Sequence, residues 1–508
     1  MKNTSDFKFD FMAGFSVALV ALPLSIGIAL ASGAPASAGL IAAIIGGLLG
    51  SWMGGSHVTI NGPAAGLIVI VLEAVNKLGF KGMLGAAIVA GALQIAFGLM
   101  KLARKGLAFP VSVIHGMMAS IGLIIIAKQF HLMVGHVPVN KNPLMLIAEI
   151  PMAFTSFDKS VFIIGAASLA LLIMWNQLTW APAKKVPGPL LAVIVGAGLA
   201  SFLGMDSSKL LSIPADVKSW VIFPEFTSFS TFDFWKSAIT LALVGTLETT
   251  LSAAAVDKID PQKRKSDLDR DLISKGICNI LSASLGGLPM IAEIVRSSAN
   301  VSFGAKTWKS NFFHGALILV AVLALPSVLS YIPIAALAAI LVMIGYRLGS
   351  PKHFHHALKI GKDNLTGFLV TLLVTLSVDL LMGIFLGALA QFAVEIYLGL
   401  KLRHSLKASY TVEKQITGGN LMKVDSALTF SNFLGVKDEI LRLTADKKEF
   451  KLDLTHSPYV DHSVMDQIND LKEYFQNVGI PFQVIISPEH YALGVDQLSA
   501  VKKKLAAA

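Results

Sequence analysis

Residues 286–301 read GGLPMIAEIVRSSANV, and residues 60–66 read INGPAAG. Each places a glycine-proline break directly before a short, mostly small-residue apolar stretch. The stretches that follow, 63–76 and 289–302, hold about fourteen residues each, roughly 21 Å of helix against roughly 30 Å of hydrocarbon. Neither crosses a bilayer alone. The second also carries Glu293 and Arg296 one helical turn apart, and ionisable groups within lipid are costly enough to be functional candidates by default.

Working outward, the surroundings read as membrane. The 508 residues are 54% hydrophobic and only 15% charged, against about 25% charged in soluble domains, and mean hydropathy is +0.68. Apolar runs between breakers give spans near 9–32, 37–53, 63–76, 82–100, 110–130, 159–176, 188–204, 234–256, 270–285, 289–302, 312–329, 333–347, 364–378 and 379–400. That is fourteen transmembrane segments, divisible as 7+7, and each interrupted segment is the third of its half. Short Gly/Pro-broken segments at matching places in two halves predict a transporter built of inverted repeats, with its site near the midplane. A polytopic α-helical membrane protein is the expected fold class.

The net charge of +10 is distributed between spans. Lys101, Arg104 and Lys105, the 258–270 cluster, Lys306 and Lys309, and the 347–362 cluster all fall on one side if both termini are cytoplasmic, the positive-inside pattern. This distribution argues against nucleic acid as a partner. The opening MKNTSDFKFDF leads into a first span with no removable signal peptide expected. A single cysteine, Cys278, excludes an intrachain disulfide framework and a cysteine-rich metal site. Residues 1–405 are therefore expected to form the membrane domain. Residues 406–508, with FKLDLTH and PFQVIIS flanking the helix-like HSVMDQINDLKEYFQNVG, are expected to form a small cytoplasmic α/β domain.

The intramembrane ionisable groups read from the sequence are Glu73, Lys128, Glu248, Glu293, Arg296, Asp379 and Glu395. Glu73, Lys128 and Glu395 lie near span ends, where snorkelling to the interface explains them; Asp379 reads as a helix start. Glu248 is mid-span in VGTLETTLSAAAV, with Ser252 on the same face at i+4. A carboxylate and a hydroxyl there suit a small hard cation such as sodium, or a proton. A helix starting at Met290 exposes unpaired amides and the positive end of its dipole, as does one starting at Ala64, Ala65 and Gly66, so an anion is expected between the two starts. Arg296 adds positive potential; Glu293 is expected first to pair with it at i, i+3, the other readings being that it joins Glu248 in holding a co-transported cation or meets a positive group on the substrate.

At these residues the chain resembles the SulP family of anion transporters, also called solute carrier family 26. The resemblance rests on AGFSVALVALPLSIGIALASGAPASAGL (13–40), INGPAAG, FPVSVIHGMMASIGLIIIAKQ (109–129), GTLETTLSAAAVD (245–257), GLPMIAEIVRSSANVSFGAKT (287–307) and a STAS-like tail. It implies core and gate domains, an elevator-like movement and a homodimer. It implies substrate contacts at Ala64, Ala65, Gly66, Ile291, Ala292, Glu293 and Arg296, and sodium at Glu248 and Ser252. Two departures stand out. MIAEI replaces the hydroxyl-rich residues many members carry after the second break, and His462 stands where related anti-sigma antagonists carry a phosphorylated serine, with Ser463 adjacent.

The expected function is secondary transport of a small inorganic anion, bicarbonate before sulfate, coupled to sodium or protons, with no organic cofactor. Dicarboxylates, sulfate esters and, more distantly, nucleobases are the other substrates of that reading. A membrane sensor or scaffold acting through the STAS-like domain is the alternative from another class. An enzyme is disfavoured because no span shows a His/Glu metal spacing, and His353, His355 and His356 read as a solvated basic loop.

Overall fold

The structure is a computed structural model that describes residues 4–106, 109–140, 142–178, 186–214, 216–324, 326–415, 419–444, 446 and 448–504. Every one of the fourteen stretches read from the sequence holds a helix. Eight helices among the described residues are long and apolar enough to cross a membrane, from Asp6–Ala31 to Leu380–Leu398. The chain divides into two compact units, 1–107 with 121–348, and 108–120 with 349–508.

In the first unit, Ile68–Leu99 lies between Leu268–Ser284 and Phe232–Ile259, while Thr4–Ala31 and Ala36–Met53 pack with Lys309–Ala324. Small residues set these approaches, because lipid offers helices no hydrophobic gain and association depends on close backbone contact. A side chain at Gly91 would come within 2.6 Å of the Gly276 carbonyl oxygen. Ile68–Leu99 is itself two helices end to end, divided at Gly79, whose φ of 71° only glycine adopts freely. Side-chain caps satisfy several helix starts: Thr231 accepts from the Phe234 amide at 3.3 Å and Asp267 from that of Arg270 at 3.1 Å.

The structure corrects one expectation about the breaks. The second helix begins at Ile294 rather than Met290, whereas the first resumes at Ala65, within the start read from the sequence. Residues Ile60–Gly62 and Ile291–Glu293 are short strands, and helix resumes only at Ala65 and at Ile294. The reason is backbone satisfaction: extended chain buried in apolar surroundings must find partners for its N–H and C=O groups, and here the two breaks supply each other's.

In the second unit, Asp379 caps Leu380–Leu398 by accepting from the Met382 amide at 2.9 Å, as its helix-start reading predicted. The tail folds around a four-stranded mixed sheet. Tyr410–Lys414 pairs antiparallel with Asn420–Val424, and Phe450–Asp453 and Phe482–Ile485 follow in parallel. Period-two alternation puts Phe450 and Leu452 inward, where they meet Val436 and Ile440 from Phe433–Leu443 and Val464, Ile468, Leu471 and Phe475 from His462–Asn477. Each such side chain contributes roughly 2 kcal/mol by burial, enough for this domain to hold a core of its own.

Candidate functional site

The two breaks meet. Ile60 pairs with Glu293, Asn61 with Ala292 and Gly62 with Ile291, antiparallel. Because each strand leads into its own helix, antiparallel pairing holds the two helix starts at opposite ends of one short ladder. Ala64, Ala65, Ile291, Ala292, Glu293 and Arg296 are all buried there, and Gly66 is half-buried.

A polar scaffold holds the ladder in place. The Ile60 amide donates to Ser297 Oγ at 2.8 Å, and that hydroxyl donates to the Glu293 carbonyl at 2.6 Å. The Asn61 amide donates to Asn311 Oδ1 at 3.2 Å, and both asparagine side chains donate to the Gly46 carbonyl. Met290 N–H is held by Asn279 Oδ1 at 2.7 Å, and Asn279 in turn donates to Gln94 Oε1 at 2.7 Å. Asn300 donates to the Val58 carbonyl at 2.8 Å. Main-chain groups at the breaks thus depend on side chains from three helices, Leu268–Ser284, Ile294–Ser302 and Lys309–Ala324.

The charges at the ladder differ from the sequence reading in one respect. Glu293 and Arg296 form no side-chain ion pair among the described residues. Glu293 instead caps its helix, with Oε2 accepting from the Arg296 amide at 3.2 Å. The Arg296 guanidinium reaches across to the first break, donating from Nη2 to the Pro63 carbonyl at 3.2 Å, with Nη1 against Gly62. The i, i+3 spacing serves the cap because at that point the carboxylate is needed by the unpaired helix-start amide. Among the described residues, Nε and Nη1 of this fully buried arginine have no hydrogen-bond partner.

Glu248 comes to the same place from the Phe232–Ile259 helix, which packs against both breaks. Its carboxylate lies directly on Gly66, where a Cβ would collide with both of its oxygens. Glu248 and Glu293 repel one another electrostatically, so each helix start faces a carboxylate of the chain itself. Ser252 is buried one turn further along the same helix. The arrangement can therefore present one guanidinium with unused donors, two carboxylates and close-approach backbone at Gly62 and Gly66.

Three features escaped the sequence reading. Lys275 and Asp271 form an ion pair at 3.0 Å with both side chains buried, and the spacing DLISK carried its signal, since i, i+4 opposite charges share a face. His314 is buried with neither ring nitrogen hydrogen-bonded among the described residues. Glu395, read as a snorkelling span-end residue, is fully buried; its corrected setting is in the second unit, beside the STAS-like fold, where protein rather than lipid headgroup covers it. Glu73 does behave as an interface residue, pairing with Lys77 and Lys236 at 3.2 Å each. His462 and Ser463 are buried, His462 Nδ1 lying 2.7 Å from the Leu498 carbonyl, so neither is presented for modification.

Comparison with known proteins agrees with this architecture. YvdB of Bacillus subtilis, provisionally named a sulfate transporter, is 29% identical over 77% of this chain and 74% of its own. The bicarbonate transporter BicA of Picosynechococcus is 24% identical over 74% of this chain and 68% of its own. Among solved structures, the transmembrane domain of a cyanobacterial bicarbonate transporter BicA superposes with a TM-score of 0.64 at 21% identity, covering 77% of this chain and 98% of that one. Murine Solute Carrier 26 family member A9, an anion transporter solved in the inward-facing state, gives 0.69 at 16% identity over 96% of this chain and 86% of that one. A STAS domain profile matches residues 411–488, and the profile described as the Sulfate permease family matches 7–371. The chain belongs to the sulfate permease family: it is a multi-pass membrane anion transporter with a C-terminal STAS domain, not an enzyme.

Proposed function

We propose that this transporter carries bicarbonate together with sodium or a proton, by elevator-type alternating access. The observation that carries this reading is the fully buried Arg296, anchored on Pro63 with two donor nitrogens unpartnered among the described residues, at a ladder that also holds Glu293 and Glu248. Buried guanidinium donors without partners cost free energy that an oxyanion recovers. With two carboxylates to one guanidinium, however, an entering anion adds negative charge to a site that already carries an excess. A cation or proton on Glu248 or Glu293 offsets it, so anion and cation bind better together than apart. Singly charged bicarbonate needs less compensation than sulfate.

In this reading the amides of Ala64, Ala65 and Gly66 and the backbone of Ile291 and Ala292 line the anion, and Arg296 donates to it. Glu293 shapes the site, while Glu248 and Ser252 hold the cation. Fourteen crossings in two inverted repeats over 1–405, a cytoplasmic domain over 406–508, an inner-membrane location with both termini cytoplasmic, and a homodimer complete the proposal. Sulfate is the second reading, supported by the relative YvdB. Uptake of labelled bicarbonate and of sulfate into proteoliposomes, with and without a sodium gradient, separates them: sodium-stimulated bicarbonate uptake is expected, and sulfate uptake indifferent to sodium overturns the assignment.

A further inference from the structure

The second unit contains a cluster of buried acids that the transport reading leaves unused. Glu395, near the end of the Leu380–Leu398 helix, is 0% exposed, and neither carboxyl oxygen meets a hydrogen-bond donor of good geometry. The polar groups facing it are Asp461, Gln391 and Thr429. Gln391 is fixed by Ser112, whose hydroxyl donates to Oε1 at 3.1 Å. Asp461 is the N-cap of the STAS helix His462–Asn477 and is 2% exposed. Its Oδ1 accepts from the Val464 amide and its Oδ2 from the Phe430 amide, both at 2.6 Å.

Two carboxylates facing one another away from water cannot both ionise. The two short amide bonds favour the anion on Asp461, so the proton belongs on Glu395, which then has an acceptor in front of it. Around the pair stand Asp363, with Oδ2 accepting from the Tyr459 hydroxyl at 3.1 Å and Oδ1 unpartnered, and His462. Further out are His115, His353 and His356, with ring centroids 5.8 Å apart for His115 and His353 and 6.4 Å for His115 and His356, and Asp496, 3.9 Å from His356. No lysine or arginine is among the groups acting most strongly on Glu395 or Asp461.

We propose that Glu395 and Asp461 form a proton-binding site that fastens the STAS domain to the 380–398 helix, engaged while the pair holds its proton and loosened when the proton leaves. This does not depend on which anion is carried. Burial raises the affinity of the pair for its proton, with Asp363 beside Asp461 adding to the rise and the two amide bonds to Asp461 opposing it. A carboxyl raised in the folded state binds more protons folded than unfolded, so its contribution is complete at low pH and is lost as pH rises through the folded value. The junction is therefore expected to weaken on the alkaline side.

Hydrogen–deuterium exchange of the full chain in lipid nanodiscs, corrected for intrinsic rates, tests this at about pH 6 and about pH 8.5, since one linked proton changes an opening equilibrium by up to about tenfold per pH unit. Amides of 392–398 and 461–466 are expected to lose protection by at least about tenfold at the higher pH in the native protein, and to keep it in Glu395→Gln, which is neutral at both. Asp461→Asn, which leaves Glu395 without a charged neighbour, is expected to flatten the response likewise and serves if Glu395→Gln fails to fold. Protection in the native protein that does not fall with pH, or an equal fall in whichever variant folds, overturns the proposal.

Discussion

The two breaks occupy matching places in the two halves of the sequence, yet they are built differently. The first, Ile60 to Gly66, contributes no charge: it offers Pro63, two alanines and two glycines, and its bareness lets Arg296 approach Gly62 and Glu248 approach Gly66. The second, Ile291 to Arg296, brings its own carboxylate and guanidinium and uses the carboxylate to cap its helix. One break is a surface to be approached; the other supplies Arg296 to approach it, and the Phe232–Ile259 helix supplies Glu248. A pair of identical breaks would present only amides and would hold any small anion without linking it to a cation. The asymmetry places Glu293 and Arg296 at the ladder, where Glu248 joins them from the Phe232–Ile259 helix.

The largest expected effect comes from making the first break less bare. Gly66→Val places side-chain carbons where the Glu248 carboxylate lies, and anion uptake in proteoliposomes is expected to fall by more than about 100-fold, because a misplacement of even about 1 Å in a binding constellation can cost that much. Gly198→Val, at a helical glycine with nothing within 4 Å, is the control and leaves uptake unchanged. Glu248→Gln comes next: it removes charge at nearly constant volume, and is expected to abolish the stimulation of uptake by sodium while the protein remains folded by size-exclusion chromatography. Retained sodium stimulation would move the cation to Glu293 and invert the roles of the two breaks.

Arg296→Ala is expected to weaken apparent anion affinity by about tenfold to a hundredfold, roughly the 1.5–3 kcal/mol of hydrogen bonds to a charged group. Unchanged affinity would mean that the guanidinium only bridges to Pro63. Ser297→Ala leaves the buried Ile60 amide without its acceptor, and a loss of about 1–3 kcal/mol is expected in denaturant unfolding. Glu293→Gln keeps an oxygen for the Arg296 amide, so thermal stability is expected to drop by only about 0.5–1 kcal/mol, sharpening the distinction between capping and ligand roles if transport changes much more than stability does.

Much of this was legible before any coordinates. The Gly/Pro punctuation at 62–63 and 286–289, the apolar run lengths and the alternation in FKLD each report a local rule, and the helices and strands follow it. Asp379 was readable as a helix start because a short acidic side chain between two apolar runs has that one local use. Glu395 was not readable, because nothing near it in sequence reveals that Asp461, sixty-odd residues later, returns to face it. Lys275 and Asp271 were readable in principle from their spacing but look like an ordinary solvated turn of helix until both are found buried.

The sequence alone determined where the chain is membrane-like, where its helices must break, and which residues there could bear charge, since hydrophobic length, proline and glycine act within a few residues of themselves. Only the tertiary structure decided that the breaks pair as strands, that Glu293 caps rather than neutralises Arg296, and that Glu248 rests on Gly66. The strand pairing, the Glu248–Gly66 contact and the reach of Arg296 to Pro63 join positions more than 180 residues apart, and buried polar groups take the partner that folding brings within reach, which no local pattern encodes.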